Sequence, residues 1–320
     1  MNKPPYSITS SVLNLISGIS EKVGAVRAVR LDRPSARFQK SNSVRTVQSS
    51  LEIEGNTLGV DQIAAILDGK RVVGPARDVL EAENAVRVYG QLDRWKPFAL
   101  KSLCEAHGML MKGLVERPGE FRTAAVGIVK GRKVAHLAPG AEMVPPLLEN
   151  LLSYARTDPD NLLVKSCVFH YEFEFVHPFV DGNGRIGRLW QTLLLCRYDP
   201  LFEHLPVDPL INFRRDDYYA ALSASDKEGS STAFLEFMLH IIDAALGEVL
   251  LQRPTTLNSE GRIEQFADKV GDEEFSRKDY MRHFKEISPA TASRDLKSAV
   301  DSGVLARSGD KRTARYRYRG

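Results

Sequence analysis

Twelve residues constrain this chain more than any other segment: His177-Pro178-Phe179-Val180-Asp181-Gly182-Asn183-Gly184-Arg185-Ile186-Gly187-Arg188. Gly182, Asn183 and Gly184 are poor helix formers. From Arg185 onward, Ile186, Leu189, Trp190, Leu193 and Leu194 supply an apolar helical face. The run is therefore a glycine-rich turn that opens a helix. Free backbone N–H groups and the positive end of the helix dipole converge there and make an anion site. Arg185 and Arg188 are three apart and share a face, expected to lie away from the Ile186 and Leu193 side. Two guanidinium forks beside such a turn suit a triphosphate better than lysines would.

Asp181 precedes the turn, where a carboxylate can hold Mg2+ that keeps most of its waters and bridges phosphate oxygens. His177, with an ordinary pKa of about 6.5, can accept a hydroxyl proton near neutral pH. Pro178 fixes the backbone between this base and the turn. A base, a carboxylate, a turn and two arginines are the equipment for holding a nucleoside triphosphate and attacking one of its phosphates.

The run resembles the signature of the Fic family, H-P-F-x-D/E-G-N-G-R-x-x-R, at every fixed position. The resemblance implies a mainly α fold, a Fic-type helical bundle with a small β-hairpin flap. It implies an activity as well: transfer of AMP from ATP to a hydroxyl of a target protein, by in-line attack on the α-phosphorus with His177 as base. Nucleotide binding then falls to Gly182, Asn183, Gly184, Arg185, Ile186, Gly187 and Arg188. Asn183 is expected at the α-phosphate, Arg185 at the β and Arg188 at the γ. Asp181 holds the Mg2+, and Tyr219 of the Tyr218-Tyr219 pair is placed near the adenine. ATP and a hydroxyl-bearing protein are the implied partners, and a homodimer is compatible. Relatives that use another donor, or that remove AMP, keep those alternatives open.

Residues 44–58 look like a helix ended by Gly55-Asn56. Within it Ser50-Leu51-Glu52-Ile53-Glu54-Gly55 resembles the S/T-x-x-x-E-G/N inhibitory motif of many Fic proteins. Ser50 and Glu54 are four apart and share a helix face. Glu54 is expected to take the guanidinium of Arg188 that a γ-phosphate needs, restraining the enzyme.

The rest of the chain supplies helices at 61–67, 77–92, 100–114, 144–154, 162–176, 205–224 and 232–251. In the second of these Val79, Leu80, Ala82, Val86 and Tyr89 are expected to face inward, and Asp158-Pro159 is expected to start the helix at 162. His170 reads as a structural residue. Val126–Val129 and Val134–Leu137 flank a turn at 130–133, a hairpin signal in the place of the Fic flap. A strand edge there can register a target segment by main-chain pairing.

Composition shifts at 252–256, a linker. Beyond it, a short helix capped by Ser276, a second helix opened by Ser288-Pro289 and two strands around Gly309-Asp310-Lys311 resemble a winged helix-turn-helix. Ser293, Arg294, Asp295 and Lys297 lie on the candidate recognition helix. Arg307, Lys311, Arg312, Arg315 and Arg317 lie in the wing. Residues 305–320 carry six Lys/Arg and one Asp, a local charge of +5. DNA is the partner this implies, and a DNA-binding regulator that senses nucleotides through the Fic domain is the alternative function. The expected organisation is an N-terminal helical segment over 1–110, with the inhibitory helix at about 44–55, a catalytic core over 111–251 and the winged helix over 256–320.

With 43% apolar and 27% charged residues the chain is an ordinary globular sequence. Its net charge of +3 is too small for nucleic-acid binding by the whole chain. It shows neither a signal peptide nor an apolar run of membrane-spanning length, so no membrane partner is implied. Cys104, Cys167 and Cys196 lie far apart in helical stretches and read as reduced thiols of a cytoplasmic protein.

Overall fold

The computed structural model describes residues 3–28, 36–125, 127–130, 133–251, 259–285, 287–310 and 313–319. In chain order the first part runs α1 (Ser10–Ala28), α2 (Ala36–Ile53), α3 (Val60–Leu67), α4 (Ala76–Tyr89), α5 (Leu100–Leu110), β1 (Gly127–Lys130), β2 (Lys133–Leu137), α6 (Val144–Thr157), α7 (Leu162–Val176), α8 (Asn183–Tyr198), α9 (Val207–Phe213), α10 (Arg215–Glu228) and α11 (Thr232–Leu251). Then come α12 (Ser259–Val270), α13 (Arg277–His283), α14 (Pro289–Asp301), β3 (Leu305–Ser308) and β4 (Arg315–Tyr318). Contacts divide the chain into two units, Met1–Leu251 and Gln252–Gly320.

A helix that is apolar all round has to be covered on every side. α7 meets that description: Leu163, Val164, Cys167, Val168, Phe169, Tyr171, Phe173 and Val176 are all buried. It is the axis of the first unit, packed against α6, α8 and α11. α1 lies along α11, and α2 lies across α3, α4, α8 and α9. β1 and β2 pair antiparallel, Gly127 opposite Leu137, with an irregularity between Ile128 and Val129. No described helix is long and apolar enough to cross a membrane.

Several boundaries differ from expectation for local reasons. α2 begins at Ala36, a turn and more before Val44, and ends at Ile53, so Glu54 sits in its closing turn. That turn is sealed by Asn56 N–H to the Leu51 carbonyl, with Gly55 in the left-handed region at φ 93°. The cap of α7 is Asn161, which accepts from Leu163 N–H; Asp158 instead ends α6. Residues 205–224 form two helices, broken at Arg214. α4 turns Glu81, Ala82, Asn84, Ala85 and Val88 to the interior, while Val79, Leu80, Val86 and Tyr89 are only half-buried. The three cysteines are unpaired, and burial pushes the Cys167 and Cys196 thiols up to about 12.

The second unit has its own core of Ile263, Phe266, Phe275, Tyr280, Leu296 and Leu305. α12 is an element the sequence reading lacked. β3 and β4 pair antiparallel, Leu305 opposite Tyr318. Ser276 and Ser288 cap α13 and α14 through their hydroxyls. Asp295 is not on an open face: it is buried, and it accepts from Nε and Nη2 of Arg262 at 2.6 and 2.9 Å. Lys311 and Arg312 lie outside the described residues.

Candidate active site

The segment between α7 and α8 carries the signature. α7 ends at Val176 and His177 is its C-cap, at φ 46° and ψ 63°, the one described non-glycine residue with positive φ. Gly182 is the N-cap of α8 at φ 83°, and a Cβ there would also meet the Met111 sulfur at 2.7 Å. Both its backbone and its surroundings thus require glycine. The first helical hydrogen bond of α8 is Ile186 N–H to the Gly182 carbonyl. The N–H groups of Asn183, Gly184 and Arg185 precede it and form the positive end of the helix.

The Asn183 side chain turns inward. Its Oδ1 accepts from Phe179 N–H and its Nδ2 donates to the Phe179 carbonyl, each at 2.9 Å. The amide closes the turn, and only the backbone N–H of Asn183 is left to meet a phosphate. Ile186 is a core residue. Gly187 faces α7, where an added Cβ would come within 2.9 Å of Glu174 Oε1. Of the glycines, Gly184 faces the site, with the Glu54 carboxylate against its Cα.

Both arginines are buried, contrary to a face looking out from the apolar side. α2 and α4 cover them. Arg188 donates from Nε to Ser50 Oγ (3.0 Å), and from Nη2 to the Ser50 carbonyl and to Glu54 Oε1 (2.8 Å each). Burial opposes the charge on Glu54, but Arg188, Arg185 and His177 outweigh it and hold the carboxyl below its ordinary range. Arg185 is paired with Glu81 of α4 and with Asp181 Oδ1 (2.9 Å). Burial draws its guanidinium down to about 10. Nε of Arg185 and Nη1 of Arg188 are buried without a hydrogen-bond partner.

Asp181 Oδ1 also accepts from Gly182 N–H, while Oδ2 faces the exposed Arg77 at 3.3 Å. No group of three or more metal-ligating side chains occurs among the described residues. One half-exposed carboxylate beside an anion site nevertheless fits Mg2+, which takes one or two carboxylates and completes its shell with phosphate and water. Tyr218 is core, its hydroxyl on His170 Nε2 at 3.1 Å. Tyr219 is half-buried, and after burial itself the charges of Glu54 and Arg188 act on its hydroxyl.

Three residues outside the signature hold it in place. Glu81 binds Arg185 and accepts from Asn56 Nδ2 at 2.7 Å. His107 stacks on Phe179 with ring centres 3.6 Å apart. Its Nδ1 accepts from Gly119 N–H, so Nε2 carries the proton given to the Asp181 carbonyl at 2.9 Å. Arg122 bonds the backbone around His177. A polar residue inside a buried helical stripe was the available signal for Glu81 and His107; Arg122, in an irregular segment, carried none.

The profile of the Fic/DOC family matches residues 97–195. A crystal structure of a Fic family protein from Desulfovibrio desulfuricans is 37% identical, with a TM-score of 0.77, and the match covers 100% of this chain and 99% of that one. The chain belongs to the Fic family. Among curated Fic proteins it is 27% identical over 246 residues to protein adenylyltransferase Fic of Drosophila mojavensis, covering 72% of this chain and 46% of the fly protein. The chain thus spans under half the length of the curated relatives it matches. Fic-1 of C. elegans, at 20% identity and a TM-score of 0.58 over 75% of this chain and 74% of that one, shares the fold.

Proposed function

We propose that this Fic protein transfers AMP from ATP to a hydroxyl of a target protein and that Glu54 restrains it. The observation that carries the reading is the pair of buried, unpartnered donors on Arg185 and Arg188 beside the N-terminus of α8. Leaving charged donors buried and unpaired is costly, and phosphate oxygens are acceptors of the right charge.

The triphosphate lies over the turn, with backbone N–H groups and both guanidiniums on its oxygens. His177 takes the proton of the target hydroxyl as its oxygen bonds the α-phosphorus. The bond from that phosphorus to the bridging oxygen breaks, and pyrophosphate leaves. Asp181 would hold Mg2+, which would neutralise charge on the phosphates. In the restrained state Glu54 occupies Arg188 and displaces the γ-phosphate, which spoils in-line alignment where small displacements are costly.

The test is labelling with α- and γ-labelled ATP. The α-label should pass to protein in Glu54→Gly and not in His177→Ala, and the γ-label in neither. Transfer of the γ-label would replace the reading with phosphoryl transfer. Release of AMP from pre-labelled protein by the parent alone would make removal the main activity.

A DNA-binding regulator is the second reading, with the C-terminal unit as a winged helix. Arg294 and Lys297 are exposed on α14. Arg307, Arg315 and Arg317 are engaged within the unit, with Asp310, Asp279 and the Asp272 carbonyl. Duplex binding that weakens steeply with salt and disappears on removal of residues 256–320 would support this reading.

A further inference from the structure

Arg122 is buried, and no carboxylate among the described residues is hydrogen-bonded to it. Its donors go to four backbone carbonyls. Nε donates to His177 O (2.7 Å), Nη1 to Ala124 O (2.8 Å), and Nη2 to Pro139 O (2.5 Å) and Val176 O (3.2 Å). Its own N–H donates to Pro178 O at 2.9 Å. One residue therefore holds three successive carbonyls, 176, 177 and 178. The same guanidinium grips Ala124 and Pro139, the two stems from which the β1–β2 hairpin rises.

The middle carbonyl of the three belongs to His177, in the left-handed region. A non-glycine residue there costs about 1–3 kcal/mol and persists only where its surroundings over-determine it. Arg122 supplies much of that determination. Burial pulls its guanidinium pKa down, opposed by the charge of Glu142, so the carbonyls are what solvate it.

We infer that Arg122 is a positioning residue that makes the base and the hairpin one rigid body. The inference rests on the AMP-transfer reading for its role in catalysis. A target strand laid on the hairpin edge is then delivered at a fixed distance from the imidazole, and neither part moves without the other. The planar fork is essential: a lysine ammonium is a point charge and cannot span both hairpin stems and the carbonyls of Val176 and His177.

The experiment compares Arg122→Lys and Arg122→Gly in the Glu54→Gly background. For Arg122→Lys, kcat for AMP transfer to a protein target should fall about 10²-fold, the effect of a displacement near 1 Å. ATP affinity, measured by calorimetry, should stay within about twofold. Millimolar ethylguanidinium should restore part of kcat in Arg122→Gly and none in His177→Ala. An unchanged kcat in a folded Arg122→Lys overturns the inference, and so does an equal loss of kcat and ATP affinity.

A donor-independent measurement separates this from failure of AMP transfer itself. In ¹³C-histidine spectra the His177 signal should broaden or split in Arg122→Lys, and hairpin amides should exchange faster. If Glu54→Gly transfers no AMP but these changes appear, the activity falls and the coupling stands. If the His177 signal and the hairpin amides are unchanged in both variants, the coupling falls.

Discussion

Glu54 Oε1 lies 2.8 Å from Nη2 of Arg188, and the Ser50 carbonyl takes the same nitrogen at the same distance. One donor atom thus spends both its hydrogens on the last turn of α2, and the Glu54 contact must yield before a γ-phosphate can use it. Hydrogen bonds to charged groups contribute about 1.5–3 kcal/mol. Glu54→Gly should raise AMP transfer by about 10- to 100-fold, measured as initial rate of α-label incorporation. A rate at the parent level in a folded variant would leave Glu54 as a helix-end acid. Ser50→Ala should give a smaller rise, since the backbone carbonyl contact survives.

Glu81 is the buried counter-charge of Arg185. Removing one partner of a buried pair costs on the order of 3 kcal/mol. Glu81→Gln should therefore lower the melting temperature. ATP should then raise it more than it does in the parent, because phosphate replaces the missing carboxylate. Equal ATP-induced shifts, read by scanning fluorimetry, would show that Arg185 does not meet the nucleotide.

Stability should fall on both sides of neutrality. Burial holds His107 down to about 4 and His170 down to about 3, against 6.5 when unfolded. Both fold neutral, so their contribution is complete above 6.5 and is lost as pH falls from there towards 4 and 3. For His107 alone this amounts to about 3 kcal/mol at the acid end. Glu174 is the opposite case: burial, then the charge of Glu54, raises it to about 8 from 4.5. The native state holds its proton more tightly, so stability declines as pH rises from about 4.5 through 8. Glu174→Gln should flatten the decline between about 6.5 and 8 and steepen the rise between about 4.5 and 6.5 in a melting-temperature profile.

Asp295 holds the second unit together from within, through Arg262 and the Tyr280 hydroxyl at 3.2 Å. Asp295→Ala removes the carboxylate that neutralises the buried Arg262 guanidinium. A loss of about 3–5 kcal/mol should unfold this unit selectively. Limited proteolysis should then cut beyond residue 258 while the 3–251 part resists. Uniform protection would mean that the pair is dispensable.

How far the site could be read from sequence differs by residue. His177, Asp181, Gly182 and both arginines stand within twelve positions, so local spacing alone announces them. The contact of Glu54 with Arg188 was readable because the motif that carries Glu54 is also local. Glu81 and His107 were not, since each acts on a segment 74 to 104 positions away, and helical periodicity assigns them only a face. The face itself was misread on α4, where Val79, Leu80 and Val86 drew the stripe off by about one position. The inward position of Glu81 is decided by Arg185, a tertiary partner that outweighs local hydrophobicity. α12 was missed because its polar first turn, Ser259-Glu260-Gly261-Arg262, resembles the linker before it.

The left-handed backbone of His177 sets catalysis and folding against each other at a single position. Imidazole chemistry is wanted there, but the conformation favours asparagine or glycine. His177→Asn is therefore expected to melt above the parent while transferring no AMP. On the AMP-transfer reading, the change that relaxes this backbone is the one that removes the base.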